Sequence, residues 1–259
     1  MNIVVLVKQV PDSGSERKLD PADNTVARAS ADNVINEMDE YAIEEALTVR
    51  DAQGGEVTVL TVGPDSATDA IRKALSMGAD KAVHVVDPAL HGSDALHTSA
   101  VLAAALGQLE YDLILCGAEA TDSQMSVMPA LLAERLGIPQ LSGARKLTVD
   151  GTTAKIERQT DGGYWALEAP LPAIVSTWDT INEPRYPSFK GIMAAKKKPV
   201  ATWTLADLGL QPSQVGLEAA WTKVESFAAR PPRTQGEIVT DEGDGGSRLA
   251  EFLSSRKFV

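Results

Sequence analysis

The first half of the chain alternates short, β-branched apolar runs with segments whose apolar residues recur at helical spacing. This alternation is typical of βαβ units, in which parallel strands are joined by right-handed helical crossovers. Nearly continuous apolar runs indicate strands that are covered on both faces. The sequence therefore predicts an α/β fold with a doubly wound, mostly parallel sheet in three layers, Rossmann- or flavodoxin-like. The predicted strands are NIVVLV from Asn2, EVTVLTV from Glu56, KAVHVV from Lys81 and DLILCG from Asp112.

The pattern changes after about Leu141. Alternating segments are then separated by the turn signals Asp150-Gly151 and Asp161-Gly162-Gly163, which predict an antiparallel appendage at the edge of the sheet. Residues 200–259 lose strong periodicity and include a stretch rich in Gly, Pro and acidic residues, which cannot bury much of its own surface. We expect an α/β domain over 1–199 and an extended C-terminal arm over 200–259. The arm is either a disordered tail or a segment that packs on a partner subunit.

The composition excludes several classes of function. A net charge of -12 argues against nucleic acid or an anionic membrane as a partner. A single cysteine, Cys116, excludes an internal disulfide, and the three histidines lack metal-ligand spacing, so no metal site is expected; His84, within a predicted strand, is expected to be structural. The absence of a long apolar run and of a signal peptide predicts a cytoplasmic protein without direct membrane insertion. Hydrolase and P-loop motifs are also absent, and no catalytic residue is expected.

The loop CGAEATDSQMSVMPA follows the fourth predicted strand. In an open parallel sheet, ligands bind beyond the carboxyl ends of the strands, near the point where the strand order reverses. Gly117 at the strand end permits close backbone approach, and the helix start beyond the loop offers free N–H groups to a phosphate. Because the loop lacks the G-x-G-x-x-G pattern, both an anion cradle and an ordinary strand-to-helix connection are consistent with it.

The segment NEPRYPSFKGIMAAKKKP, residues 182–199, is basic within an acidic chain. Pro184 and Pro187 favour an extended or turning start, and the composition from Lys190 to Lys198 favours a short helix. The segment is either a solvated surface loop or a docking loop. Phe189 favours docking, because an exposed apolar residue of this size often marks a contact site.

Together these stretches resemble the beta, or small, subunit of the electron-transfer flavoprotein family. The resemblance extends over nearly the whole chain, and its two most specific parts are residues 182–199 and the stretch ERQTDGGYWALEAPLPAIV. The second stretch holds a basic residue, an acid-Gly-Gly turn and then Leu-Pro-Ala before a strand. Those positions are Arg158, Asp161, Gly162, Gly163, Leu171, Pro172 and Ala173.

This resemblance implies an electron carrier without a substrate of its own. It implies a heterodimer with an alpha subunit, one FAD held mainly by the alpha subunit, and an AMP in the beta subunit. It implies acyl-CoA dehydrogenases of fatty acid beta-oxidation as electron donors and a membrane quinone oxidoreductase as acceptor. Residues 182–199 correspond to the family's recognition loop. The partner-docking residues implied in this way are Tyr186, Phe189, Ile192, Met193 and Lys196.

The resemblance also implies a nucleotide site. Its implied cofactor-binding residues are Leu6, Asn36, Asp39, Val62, Gly117, Ala120, Asp122, Ser123 and Ser126. The chain departs from the family pattern at three places. Ser126-Val127-Met128 replace a polar run that is commonly Asn-Gln-Thr, Trp165 stands where the signature prefers Glu or Gln, and Ser13 replaces an aromatic residue often found near the flavin.

Two other functions stay open on the sequence alone. A bifurcating flavoprotein subunit would bind a second FAD and meet NADH, and family members of that type usually have a polar, Gln-containing loop where residues 126–128 lie. A free-standing adenine-nucleotide-binding sensor would need only the α/β core. The sensor hypothesis leaves residues 182–199 and the C-terminal arm unexplained.

Overall fold

The structure, a computed structural model, describes residues 1–233, 235–236 and 238–259. The chain divides into two compact units, Met1–Glu225 and Ser226–Val259. Thr234 and Glu237, which belong to the predicted C-terminal arm, lie outside the described residues.

A nine-stranded sheet forms the centre of the first unit and confirms the predicted α/β fold. The strands are β1 (Asn2–Leu6), β2 (Gln9–Pro11), β3 (Asn33–Ile35), β4 (Glu56–Val62), β5 (Lys81–Val85), β6 (Leu113–Gly117), β7 (Gln140–Asp150), β8 (Thr153–Thr160), β9 (Gly163–Pro170), β10 (Ala173–Thr177) and β11 (Val200–Trp203). The sheet order is β11-β5-β4-β1-β6-β10-β7-β8-β9, with parallel pairing from β11 to β7. Strands β2 and β3 form a separate antiparallel pair.

Helices cover both faces of the sheet, as the three-layer prediction requires. The helices are α1 (Glu37–Gln53), α2 (Thr68–Met77), α3 (Ala95–Leu106), α4 (Met128–Leu136), α5 (Phe189–Ala195), α6 (Gly216–Ala219) and α7 (Gly245–Ser255). Successive side chains of a strand point to opposite faces. Accordingly, Ile3 and Val5 of β1 pack with α1 and α2, whereas Val4 and Leu6 pack with α3 and α4.

The strand order reverses between β1 and β6. From β1 the chain moves outward through β4 and β5, and it returns to β6 on the other side of β1. The helix that follows β1, α1, packs on one face of the sheet, and the helix that follows β6, α4, packs on the other. The carboxyl ends of β1 and β6 therefore border the crevice in which ligands of such sheets bind.

Strands β7, β8 and β9 confirm the predicted antiparallel appendage. Turns connect them at residues 151–152 and 161–162, as the Asp-Gly signals indicated. Gly151 adopts a left-handed φ of 57°, a conformation that glycine takes without steric cost.

The structural division of the chain falls after Glu225. Val200–Trp203 forms β11, which pairs with β5 and extends the sheet. Leu205 and Val215 are then buried in the core on the α3 face. Residues 200–225 thus belong to the first unit, because their short apolar stretches cover surface that β5 and α3 would otherwise expose. A role of the later residues in binding a partner subunit stays a prediction.

The second unit contains α7, where the sequence shows a short amphipathic piece. Leu249 and Phe252 on this helix and Phe258 beyond it are exposed. None of the described helices has both the length and the apolar character that a membrane crossing needs. Among the same residues, no three potential His, Cys, Asp or Glu ligands converge on a metal position.

Candidate functional site

Asn36 and Asp39, at the start of α1, join the carboxyl ends of β1 and β6. The Oδ2 atom of Asp39 accepts a hydrogen bond from the backbone N–H of Lys8, just beyond β1, at 2.8 Å. Its Oδ1 atom accepts from the N–H of Gly117 at 3.2 Å and from Nδ2 of Asn36 at 3.0 Å. Both side chains are buried. These hydrogen bonds connect the ends of β1 and β6 and fix their positions relative to the start of α1.

Asn36 also fixes the loop that follows β6, residues 118–127. Its Nδ2 donates to the carbonyl of Glu119 at 2.9 Å, and its Oδ1 accepts from the N–H of Thr121 at 3.0 Å. The amide is thus engaged both as donor and as acceptor by the protein itself. Asn36 and Asp39 shape the site rather than present free polar atoms to it.

Asp39 is expected to make stability depend on pH. Burial raises its pKa to about 7, against the opposing effect of the hydrogen bonds from Lys8, Asn36 and Gly117. A carboxyl group whose pKa is higher in the folded state stabilises the fold at low pH, and this contribution is lost as the pH rises to the folded-state value. Relative to Asp39→Asn, we expect the wild type to gain about 2 to 3 kcal/mol of unfolding free energy between about pH 8 and pH 5. Urea denaturation of both proteins at several pH values measures this difference. Unfolding free energies that change with pH in the same way in both proteins would contradict it.

Asp122, which belongs to the loop 118–127, is surrounded by cationic side chains from elsewhere in the chain. Lys8 Nζ and Arg28 Nη2 each lie 2.7 Å from one of its carboxylate oxygens. Burial alone would raise the pKa of Asp122, but the charges of Lys8 and Arg28 and their hydrogen bonds lower it. Arg17 donates from Nη1 to the carbonyl of Thr121 at 2.7 Å. Three cations therefore converge on two consecutive residues of the loop.

The loop 118–127 contains the other predicted polar residues. The carbonyl of Ala120 accepts from the N–H groups of Ser123 and Gln124 at 3.2 and 2.8 Å. Ser126 has a φ of 53°, and its hydroxyl donates to Glu119 Oε2 at 2.8 Å. Ser123 and Ser126 are both exposed. Both serines therefore lie at the surface of the loop.

Leu6 and Val62 lie on the other side of the sheet from α1. They end β1 and β4 and belong to the apolar core under α3 and α4. The structure therefore joins Asn36, Asp39 and Gly117 by hydrogen bonds, and it connects Asp122 to them through Lys8. It places Leu6 and Val62 at the same edge of the sheet but in a separate, apolar environment.

A cavity of about 440 Å³ lies between the β2–β3 pair and the helices α1 and α2. Its wall is acidic and contains none of the predicted cofactor-binding residues; Thr121 is the residue that it shares with the loop 118–127. Ser13 also lines it. The lining residues are Val10, Asp12, Ser13, Asn33, Val34, Ile35, Glu37, Glu40, Asp69, Ala70, Lys73 and Thr121.

Residues 182–199 present an apolar surface around α5. Phe189, Ile192, Met193 and Lys196 are spaced to share one face of a helix, and all four are exposed, Phe189 by 80%. Tyr186, before the helix, is 93% exposed. All five predicted docking residues are thus accessible on one short segment.

Two polar residues tie the start of this segment to α1. Arg185 forms a two-pronged ion pair with Glu44, from Nε to Oε2 at 2.8 Å and from Nη2 to Oε1 at 3.0 Å. Asn182 donates from Nδ2 to the Tyr41 carbonyl and to Glu45 Oε2, both at 3.1 Å. The bonds to Glu44 are charge-assisted and hold the guanidinium in a fixed plane.

The end of the segment is tied to α2. Arg72 donates to the carbonyl of Ala195 at 2.7 Å, and Lys198 Nζ donates to the carbonyls of Leu75 (3.0 Å) and Ala79. Burial lowers the pKa of Lys198. Lys198 therefore caps the carboxyl end of α2 and does not belong to an exposed basic surface. The segment that carries the apolar residues of α5 is therefore hydrogen-bonded to α1 at its start and to α2 at its end.

Comparison with known proteins places this geometry in a family. A model described as the electron transfer flavoprotein domain matches residues 23–208. The chain is also 52% identical over 264 residues to the electron transfer flavoprotein subunit beta of Mycobacterium leprae, over 100% of this chain and 99% of that protein. The chain belongs to the electron transfer flavoprotein family, as a beta subunit.

Two more distant relatives extend this comparison. The electron transfer flavoprotein subunit beta of Clostridium acetobutylicum is 39% identical over 239 residues, which cover 92% of each chain. The caffeyl-CoA reductase-Etf complex subunit CarD of Acetobacterium woodii is 36% identical over 242 residues, 93% of this chain and 92% of that protein. The predicted family is confirmed, and with it a role in electron transfer beside an alpha subunit.

Several residues that fix the loop 118–127 and residues 182–199 in this beta subunit were not predicted. Lys8 lies two residues beyond the end of β1, so its place near a strand end was a usable signal. Arg28 was not accessible to sequence reasoning, because it begins a single 3-10 turn, Arg28–Ser30, and lies 94 residues from its partner Asp122. Arg185 was visible in the family signature, but its partner Glu44 is 141 residues away.

Replacing Arg185 with alanine is expected to loosen the start of the docking segment. Glu44, whose side chain is 11% exposed, would lose its charge-assisted partner. Because Arg185 itself is 38% exposed, we expect a modest loss of about 1 to 2 kcal/mol in unfolding free energy. Hydrogen exchange is expected to show faster exchange in residues 182–195. Arg185→Lys keeps the charge without the two-pronged geometry, so its stability and exchange rates should fall between those of the wild type and Arg185→Ala. Unchanged exchange in both variants would contradict the anchoring role.

Proposed function

We propose that this beta subunit and an alpha subunit form a cytoplasmic carrier that takes electrons from acyl-CoA dehydrogenases and related flavin dehydrogenases. The carrier then passes them to a membrane quinone oxidoreductase, in fatty acid beta-oxidation. The observation that carries the proposal is the exposed apolar face of α5. This face presents Phe189, Ile192 and Met193 on a segment that hydrogen bonds attach to α1 and α2. A small apolar surface in a fixed position suits repeated, transient docking.

The cofactors of the proposed carrier are one FAD, held mainly by the alpha subunit, and one AMP in the beta subunit. The residues at the carboxyl ends of β1 and β6 fit a phosphate, because cationic side chains and exposed hydroxyl groups gather there in an acidic chain. FAD would supply the electron-accepting chemistry. Leu6 and Val62 would contribute apolar contacts to the nucleotide, and the loop 118–127 would line the position of its phosphate.

The beta subunit should be purified with its alpha subunit, the complex denatured, and the released nucleotides identified and counted by mass spectrometry. One FAD and one AMP per heterodimer are the expected result. Reduction of the bound flavin by an acyl-CoA dehydrogenase and its substrate then tests the direction of electron flow. A complex that accepts no electrons from any flavin dehydrogenase would contradict the proposal.

A second candidate is a bifurcating flavoprotein subunit, which binds a second FAD and meets NADH. It is favoured by the 36% identity to a relative named as a subunit of a caffeyl-CoA reductase complex. Two FAD per heterodimer in the same nucleotide count would support this alternative. A stable monomer that binds an adenine nucleotide and no flavin-bearing subunit would instead favour the sensor.

A further inference from the structure

The cavity of about 440 Å³ between the β2–β3 pair and the helices α1 and α2 is apolar in the buried part of its wall. Val10, Ile35 and Ala70 line it, and all three are buried. Val34 is a fourth apolar lining residue and is 41% exposed. This part of the wall suits a hydrocarbon group.

The more accessible part of the wall is acidic. Asp12, Glu37, Glu40 and Asp69 contribute carboxylates to it, and Lys73 contributes a cation. Lys73 Nζ lies 3.5 Å from Glu40 Oε1, so these two charges offset each other. Glu37 and Asp69 are exposed, and within the described part of the chain neither forms an ion pair. The Asp12 carboxylate accepts one hydrogen bond, from a backbone N–H of its own loop at 2.7 Å. The cavity therefore carries negative charge that the subunit itself leaves without a cation.

Asn33, which also lines the cavity, holds an acceptor that the subunit leaves unused. Its Nδ2 atom donates to the carbonyls of Arg28 at 2.8 Å and Ala31 at 3.1 Å, and these two bonds fix the orientation of the amide. Its Oδ1 atom is buried and has no hydrogen-bond partner among the described residues. A buried acceptor without a donor is unfavourable, so a donor that enters the cavity and reaches this atom would remove a cost.

Two of the carboxylates also have a local role. Glu37 and Asp69 lie in the first turns of α1 and α2, where a negative charge stabilises a helix. Asp65 lies in the turn just before α2 and does not line the cavity. The helix ends thus explain acidic residues at these positions. They do not explain why the carboxylates converge with an unpaired Asn33 acceptor on one cavity.

We propose that this cavity binds a lysine or arginine side chain of the alpha subunit. Carboxylates and an amide oxygen accept hydrogen bonds, so they match a group with several donors; an ammonium has three and a guanidinium five. The aliphatic stem of either side chain suits the apolar part of the wall, because such stems pack on apolar surface while the charged head stays at polar groups.

The charge of the whole chain supports the choice of partner. A beta subunit of this family works beside an alpha subunit. Because the net charge of this chain is -12, a surface that pairs with it is favoured when it carries cations. The inference rests on this pairing of subunits and does not depend on the identity of the electron donor.

The test measures how well variant beta subunits compete for the alpha subunit. Equal amounts of a tagged wild-type beta subunit and an untagged variant are unfolded and refolded together with a limiting amount of alpha subunit. Mass spectrometry then counts both in the heterodimer. Glu37→Gln and Asp69→Asn remove a charge and keep the shape of the side chain. We expect each variant to be incorporated about 3-fold less than the wild type, and the double variant about 10-fold less or lower. Salt should reduce this difference, because it screens the ion pairs.

Asp65→Asn is the matched control. It removes the same charge near the start of the same helix as Asp69→Asn, but from a position outside the cavity. It should compete equally with the wild type. Thermal unfolding of the refolded subunits shows whether the two variants lose similar stability. Untagged wild type against tagged wild type measures any effect of the tag.

Several results would overturn the inference. Equal deficits of Asp65→Asn and Asp69→Asn would show that the charges act only on the helix. A double variant that competes fully would remove the cavity from the subunit interface. Calorimetric binding of spermidine to the heterodimer, lost in a fully competing double variant, would assign the cavity to a small free cation instead. A heterodimer that shows the expected competition but accepts no electrons from a flavin dehydrogenase would contradict the proposed function and support this inference.

Discussion

Replacing Phe189 with alanine is expected to slow electron acceptance from the proposed donor, an acyl-CoA dehydrogenase, about 30- to 100-fold. Phe189 is 80% exposed in the free chain, so its ring gains most of its burial only when a partner covers it. Burial of a phenylalanine side chain stabilises a contact by about 2 to 3 kcal/mol, and about 1.4 kcal/mol corresponds to a tenfold change. Because the substitution leaves the loop 118–127 untouched, the flavin and nucleotide contents of the heterodimer should not change.

The measurement is the second-order rate constant of flavin reduction by stopped flow, at dehydrogenase concentrations well below saturation. Phe189→Leu is the matched control: it keeps a large apolar side chain and should stay within a few-fold of the wild type. At saturating dehydrogenase, Phe189→Ala should recover most of the wild-type rate, since docking and not electron transfer itself is weakened. Equal second-order constants for alanine, leucine and wild type would remove Phe189 from the docking surface.

Replacing Gly117 with alanine is expected to destabilise the protein by about 3 kcal/mol or more. A Cβ atom at this position would lie 2.6 Å from Cβ of Met38, 2.7 Å from Oδ1 of Asp39 and 2.8 Å from the carbonyl carbon of Met38. Asp39 is buried and Met38 is partly buried between β6 and the start of α1, and two of the contacts involve Met38 backbone and Cβ atoms, so these neighbours have little room to move. The glycine thus permits the close approach of α1 to the strand end, in addition to any ligand beyond it.

Gly107→Ala is the matched control for this prediction. Gly107 has a helical φ of -63°, and a Cβ atom there would meet only the Ala103 and Ala104 carbonyl oxygens at 3.5 Å. It should be within about 1 kcal/mol of the wild type, or slightly more stable. Urea denaturation of the three proteins gives the comparison. A Gly117→Ala protein as stable as Gly107→Ala would show that α1 can shift away from β6.

The architecture was predictable because it depends on short-range patterns. The predicted strands match β1, β4, β5 and β6, and the helices between them begin and end near the residues that periodicity indicated. Gly78 and Gly137 cap α2 and α4, as their positions after helical segments suggest. His84 is buried and its Nε2 lies 3.1 Å from the Gly63 carbonyl, as expected of a structural histidine.

The candidate site was predictable only in part. The family resemblance named Asn36, Asp39 and Asp122, and the structure does gather them at one edge of the sheet. The polar atoms of the first two bind the backbone of the loop and of the strand ends, and their contact with a nucleotide stays a prediction. Residues 182–199 are basic as a sequence, but Lys198 turns inward to the end of α2.

The sequence by itself determined the α/β class, the antiparallel appendage, the family and the segment that exposes Phe189. Each of these depends on periodicity, turn residues or motifs within a few tens of residues. Only the tertiary structure decided that Lys8 and Arg28 share the Asp122 carboxylate, that Arg185 binds Glu44, and that residues 200–203 extend the sheet. Charged side chains can pair with any opposite charge that the fold brings within reach. Which charge that is depends on how the strands order themselves, and no local pattern records it.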